Sequence, residues 1–395
     1  MTGVHVPHPA GPASRPSGWV RGVVQDVADV GVLDLGPGYL DPALLRVDVI
    51  RAGQQAALTR YGAAALSYGH NPGADPLRQA LADRVSAADS VPCDRDHVLV
   101  TSGTSMALYL LATTAARPGD VVICETVCYD LAQQLFLDCG LRLHRVPGDT
   151  AGMRPEALDE ALARIRGAGA RPAFVYLNPT FQNPLGRTSP VERRIRLLDV
   201  CAGHGVEVVE DDAYTEVGLD GPPPPSMAAL SGYRGVIRLG SFAKTLGPGL
   251  RLGWLLADPD RVARLAGHGV FVSGGSLNHL TSLAVAALLG DGTYDRHLAA
   301  LAGGLRARRD ALVGALGGVA EFAVPAGGFF LWLRLNGGPD EGSLVRAAAL
   351  AGVRVAPGSR FGTVRGPSIR VSYSFNPPAA LRSAGQALVT AWESM

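Results

Sequence analysis

From His97 onward, short apolar runs alternate with longer stretches whose apolar positions recur every three or four residues. The runs His97–Thr101, Val121–Cys124, Leu141–Val146, Ala173–Leu177, Val206–Asp211 and Val236–Leu239 read as strands. Between and after them, helices are predicted from about Ser105, over Pro155–Arg166, Pro190–Gly203 and Pro259–Ala266. Strands that alternate with helices make a parallel sheet, with its ligand crevice at the carboxyl ends of the strands. Tyr129, Asn178, Asn183, Asp211 and Lys244 all follow strands, so the pattern already gathers candidate chemistry at one edge.

Outside this α/β stretch the pattern changes. Residues 1 to about 17 are rich in Pro, Gly and His and read as a flexible tail, followed by helical patterns over Gly18–Val30 and Pro42–Arg60. Beyond Trp254, the Arg-rich run Tyr294–Leu316 predicts a long solvent-facing helix. PAGGFFLWLRL predicts a strand entered through Gly327 and Gly328, and SIRVSYSFNPP predicts another that carries Arg370. The expected division is a large domain over 45–285 and a smaller α+β domain made of 18–44 and 286–395. No fixed-period repeat is present.

Composition narrows the function. The chain of 395 residues has 47% hydrophobic residues, enough for a sizeable core, and balances 36 Lys and Arg against 35 Asp and Glu. No basic run marks a nucleic-acid or anionic-membrane surface, so small molecules or protein are the expected partners. Five cysteines without CxxC spacing predict free thiols in a cytoplasmic protein, not a disulfide framework or a zinc site. No stretch reads as a signal core or membrane span. His5 and His8 read as solvated tail residues, and no metal site is expected.

The candidate chemistry centres on SFAKTLGPGLRLGW, Ser241 to Trp254, where Lys244 is the only lysine of the chain. A buried lysine loses basicity and becomes a nucleophile toward carbonyls, which suits a Schiff base to an aldehyde cofactor. The turn Ser102-Gly103-Thr104-Ser105 opens a helix. Its free N–H groups make it either an anion site or an ordinary cap. It is not the GxGxxG turn of a dinucleotide-binding dehydrogenase. NPTFQNPLG, Asn178 to Gly186, holds Asn183 in a turn. EDDAYTEV sets Asp211 past an apolar strand, as a cap or as a functional carboxylate, with Tyr214 three residues on.

Together these segments resemble the fold-type I pyridoxal-phosphate (PLP) enzymes over nearly the whole chain from about residue 30. The closest likeness is to the 2-aminoadipate and aromatic aminotransferase branch of the class I/II aminotransferases, which also supplies the effector domain of MocR-type regulators. The resemblance implies an α/β fold with a mostly parallel seven-stranded sheet between helices, plus a smaller α+β domain. It implies PLP as cofactor, with a Schiff base at Lys244 and the phosphate gripped by Gly103, Thr104, Ser105, Ser241, Arg251 and the Tyr68 of a neighbouring subunit. Tyr129 would stack on the ring, Asp211 would pair with its nitrogen, and Asn183 and Tyr214 would bind its phenolic oxygen. Arg370 would fork onto the substrate α-carboxylate, a task a guanidinium does better than an ammonium. Gly38 and Tyr39 take the place of the family's Gly-x-Pro pocket loop, here without its proline. The loop Ser273–His279, with Asn278 and His279, would approach the neighbour's site in a homodimer.

The function so implied is chemistry at Cα of an amino acid through an external aldimine and quinonoid, foremost transamination to the 2-oxo acid. Elimination or replacement, C–C bond formation and oxidation use the same residues. A MocR-like regulator would require a DNA-binding domain, and only a Pro/Gly-rich tail precedes the PLP-type segments.

Overall fold

The computed structural model describes residues 31–335, 340–363 and 366–395; the predicted tail 1–17, with His5 and His8, and the helix Gly18–Val30 lie outside it. Seven strands form the central sheet in the order Val98–Thr101, Gly253–Leu256, Val236–Ser241, Val208–Asp211, Pro172–Leu177, Val121–Glu125, Arg142–Val146. The last five are mutually parallel, while Gly253–Leu256 runs antiparallel to both of its neighbours. This reversed strand is the one that the apolar pattern does not announce, because it lies inside the glycine-rich lysine segment.

The sheet strands are apolar on both sides because helices cover both faces. Val98, Val100, Ile123, Val175 and Val208 join one core, and Leu99, Val122, Phe174, Tyr176 and Val209 join the other. Each strand therefore sends alternate residues to opposite layers. Helices Thr104–Thr114, Pro155–Gly167, Val191–Gly203 and Pro259–Ala266 lie close to their predicted bounds, and Asp130–Asp138 is a further helix that the apolar pattern does not announce. The segment Pro42–Arg60 departs from a single helix: Pro42–Leu44 is a 3-10 turn capped by Asp41, and the helix proper is Val47–Tyr61.

A further core gathers Leu35, Leu40, Leu305, Leu312, Phe329, Leu331, Val371 and Leu388. It sits between helices Thr293–Leu316 and Pro378–Glu393 and the antiparallel strands Phe330–Arg334, Ser368–Ser372 and Ala356–Pro357. Leu33–Asp34 joins it by pairing with Val353–Arg354. The Arg-rich helix is not solvent-facing as expected. Its face Tyr294, His297, Leu301, Leu305, Arg308, Leu312 and Leu316 is buried. Arg308 is accommodated there because it donates to Asp41 Oδ2 at 2.8 Å and to the Asn376 carbonyl at 3.1 Å. The five cysteines are free thiols. Among the described residues, no helix is long and apolar enough to cross a membrane, and no group of His, Cys, Asp and Glu has a metal-binding arrangement.

Candidate active site

The reversed strand assembles one end of the site. Register places Ser241, Gly253 and Thr101 side by side, so the start of the antiparallel strand meets the ends of its two neighbours. Ser102-Gly103 is thereby brought against Arg251. Gly103 has φ +81°, and a Cβ there would lie 2.8 Å from an Arg251 guanidinium nitrogen. Helix Thr104–Thr114 begins at this turn without a side-chain cap, which leaves its first N–H groups directed outward. Arg251 donates to the Ser102 carbonyl at 3.1 Å, and its own carbonyl accepts from Ser102 Oγ and from Asn278 Nδ2. Backbone donors, a helix N-terminus and a guanidinium thus converge, an arrangement suited to a phosphate.

Lys244 ends a 3-10 turn, Phe242–Lys244, that Ser241 caps by accepting from the Ala243 N–H at 3.1 Å. Its Nζ donates to the Gly38 carbonyl at 2.7 Å and lies 5.1 Å from the centre of the Tyr214 ring. Burial brings its pKa down to about 8, with Arg370 and Arg251 acting in the same direction and Asp211 opposing. An amine whose pKa lies this close to neutrality is unprotonated in an appreciable fraction at physiological pH and is a usable nucleophile.

Asp211 and Arg370 belong to one connected chain. Asn178 Nδ2 donates to the Asp211 carbonyl, and Asn178 Oδ1 accepts from the Asn183 N–H at 2.7 Å. Asn183 Oδ1 in turn accepts from Arg370 at 2.9 Å, and a second Arg370 nitrogen donates to the Gly36 carbonyl at 2.6 Å. The Arg370 guanidinium lies 4.1 Å from the centre of the Phe330 ring and 4.6 Å from that of Phe361, and its Nε is buried without a partner. Burial lowers its pKa to about 10, the mark of a cation held where an anion belongs. Asp211 accepts from Tyr176 at 2.7 Å on Oδ2, while Oδ1 is buried with no protein partner. Burial raises this carboxyl to about 6. Tyr129 and Tyr214 stand close enough to feel the charges of both Asp211 and Arg370, and burial raises both phenols.

The remaining candidates lie around this centre. Tyr39 anchors the pocket loop through Ser374 Oγ, which donates to its carbonyl at 2.8 Å, and through an edge contact with Phe375. Tyr68 is 85% exposed. Its neighbour Gly69 accepts from the Ser276 N–H at 3.3 Å, which fixes this segment to the Ser273–His279 loop. His279 packs under Gly69, with Ala64 and His70 nearby, while Asn278 supports Arg251. Asp212 turns away from the crevice to Arg238, at 2.7 Å. Sequence reasoning missed Tyr176, whose signal was a phenol on an apolar central strand, where the hydroxyl needs a partner. It also missed the support behind Lys244: His297 Nε2 lies 2.7 Å from the Thr245 carbonyl, and Tyr294 joins Thr245 to Glu216.

Comparison with known proteins gives the same picture. A profile described as aminotransferase class I and II matches residues 31–388. The aromatic-amino-acid aminotransferase 1 of Thermococcus litoralis is 31% identical over 374 residues, covering 92% of this chain and 88% of that protein. The 2-aminoadipate transaminase of Thermus thermophilus is 33% identical over 355 residues, covering 87% and 86%. The crystal structure of kynurenine aminotransferase from Pyrococcus horikoshii superposes with a TM-score of 0.85 at 28% identity, covering 92% of this chain and 91% of that one. A seven-stranded fold-type I sheet, a lysine and an aspartate at its carboxyl edge and a match along most of the length agree: the chain belongs to the class I and II aminotransferases.

Proposed function

We propose that the crevice holds pyridoxal 5'-phosphate and that the enzyme exchanges the amino group of an amino acid for the oxo group of a 2-oxo acid. The observation that carries this reading is Asp211 Oδ1, a buried carboxylate oxygen without a protein partner, in the same crevice as a lysine whose pKa is about 8. That pair fits a cofactor with a basic ring nitrogen and an aldehyde. When bound, the cofactor supplies the carbonyl for the amine and a protonated ring that draws off the electron pair of a bond broken at Cα.

The chain's residues would then divide the work. Gly103, Thr104, Ser105, Ser241 and Arg251 hold the phosphate, and Lys244 holds the aldehyde end. Asp211 keeps a proton on the ring nitrogen, because an ionised carboxylate favours the charged form beside it. Tyr129 covers one face of the ring. Tyr214 and the Nδ2 of Asn183, whose Oδ1 is engaged by Arg370, bind the phenolic oxygen. Arg370 grips the α-carboxylate of the substrate, and Gly38 and Tyr39 line the pocket beside it. Lys244 Nζ, neutral once the substrate's own amine has taken its place, would take the proton from Cα and return it to the former aldehyde carbon on the other side of the substrate nitrogen. The 85% exposure of Tyr68, together with that of Leu66, Tyr109 and Val272, supports a homodimer in which Tyr68 completes the neighbour's phosphate site, with Asn278 and His279 on the adjoining loop.

The test has two parts. Borohydride reduction of PLP-loaded protein followed by peptide mapping is expected to find the pyridoxyl group on Lys244, and recovery of the unmodified peptide refutes the cofactor assignment. Incubation with a panel of amino acids without oxo acid is expected to give one equivalent of 2-oxo acid and pyridoxamine phosphate. Catalytic release of ammonia, loss of a side-chain substituent, or a new C–C bond would overturn transamination.

A further inference from the structure

Tyr176 is among the largest fully buried side chains, and its hydroxyl is committed to Asp211 Oδ2 at 2.7 Å. The commitment follows from strand register. Tyr176 stands opposite Val209, so Asp211, two residues further on, projects from the same face as a diagonal neighbour. The rest of that face is apolar, with Phe174, Val209 and Leu239 around it and the Phe136 ring edge-on to Tyr176 at 5.4 Å. A phenylalanine would fill this space equally well, so packing alone does not call for the hydroxyl.

Resting on the proposal that PLP occupies the crevice, we infer that Tyr176 is a positioning residue: it keeps Asp211 ionised and turned so that Oδ1 is left for the cofactor ring nitrogen. Burial and the negative charge of Asp211 hold the phenol well above its ordinary pKa, so it remains a donor at any working pH. Burial raises the Asp211 carboxyl. The Tyr176 hydrogen bond, the Ala213 N–H and Lys244 act against that rise, and Asp212 adds to it. Tyr129 and Tyr214 face the carboxylate from their own segments, and Cys128 faces Tyr176. Without the hydroxyl, the buried carboxylate would lose its one side-chain donor and rely on the Ala213 N–H alone in the absence of cofactor. Asp211 would then compete with the ring nitrogen for the proton the two share.

The experiment compares wild type with Tyr176→Phe, each loaded either with PLP or with an analogue carrying carbon in place of the ring nitrogen. The measurements are cofactor dissociation constant, bound-cofactor absorbance against pH, and the kcat and KM of the amino-acid half-reaction. With PLP, Tyr176→Phe is expected to raise the dissociation constant about tenfold or more, to move the acid limb of the absorbance titration up by about one to two pH units, and to lower kcat while sparing KM. With the analogue the two proteins are expected to match. The control Phe136→Leu, which disturbs packing and keeps the hydroxyl, is expected to behave as wild type in all four measurements. Equal behaviour of wild type and Tyr176→Phe with PLP overturns the inference, and so does an equal loss with the analogue, which would assign the hydroxyl to packing. A wild type that forms no visible chromophore with PLP overturns the cofactor assignment itself, a result read before any variant is made.

Discussion

An ammonium at Lys244 would sit among Tyr214, Phe329 and the Gly38 carbonyl with little water, which is why its pKa falls to about 8. In the unfolded chain it returns to about 10.4. Between these values the unfolded state binds more protons, so the stability of cofactor-free protein rises with pH through that window. Below pH 8 the folded state carries the full cost of the buried charge. Lys244→Met is therefore expected to stabilise the cofactor-free protein at pH 7 by on the order of 2–3 kcal/mol. The gain should shrink above pH 8 and vanish by about 10.5, as read from urea melts at several pH values. Arg370 gives a second residue-scale test. Arg370→Ala is expected to weaken amino-acid binding by roughly 1.5–3 kcal/mol, and Arg370→Lys to recover little of it, since an ammonium cannot replace the fork that joins Asn183 and Gly36. Unchanged binding in Arg370→Ala would remove it from the site. At this scale the sequence was informative wherever spacing alone decides direction. Asp211 and Asp212 are adjacent on a strand end, so one must face the crevice and the other must not. Tyr176 was illegible because its partner lies 35 residues on, across a register that no local pattern reveals.

Among the elements, the parallel strands and all their helices but Asp130–Asp138 could be read from periodicity to within a residue or two, because strands buried on both faces are continuous apolar runs. The antiparallel strand Gly253–Leu256 could not, since only four residues separate its Gly-Pro-rich approach from the next helix cap at Asp258. Yet that strand builds the phosphate end of the site by carrying Arg251 to Gly103. The Arg-rich helix misled for a different reason: long side chains bury their stems wherever their charge finds a partner, so composition did not reveal its buried face. The junction of turn and strand yields an element-scale prediction. Gly103→Ala places a methyl 2.8 Å from the Arg251 guanidinium at φ +81°, so Arg251 must move. Its affinity for PLP is expected to fall at least tenfold while affinity for dephosphorylated pyridoxal changes little, as measured by fluorescence titration. An equal loss for both would mean that the turn serves folding and not the phosphate.

On the scale of the whole molecule, the site lies where the carboxyl edge of the seven-stranded sheet meets the smaller antiparallel one, with Lys244, Asp211 and Tyr129 supplied from the ends of the first and Arg370, Phe330 and the turn residue Phe361 from the second. Tyr68 is exposed to solvent. If it serves a neighbouring copy, then Lys244→Ala and Tyr68→Phe, each impaired alone, should recover part of the wild-type rate when mixed and refolded together. No recovery, or a monomer by light scattering at working concentration, would refute the shared site. Lys244 has one more consequence at this scale. The other 35 of the 36 Lys and Arg residues are arginines, which keep their charge through the mildly alkaline range. Burial pushes Cys93, Cys139 and Cys201 upward, along with Tyr129, Tyr176, Tyr214 and Tyr294, and the contact with Cys124, with burial behind it, does the same to Cys128. Electrophoretic mobility should therefore stay nearly flat across the mildly alkaline range in which most proteins shed charge from surface amines. Against that level background, the single ε-amine, titrating near pH 8, gives a step of one charge that capping Lys244 abolishes.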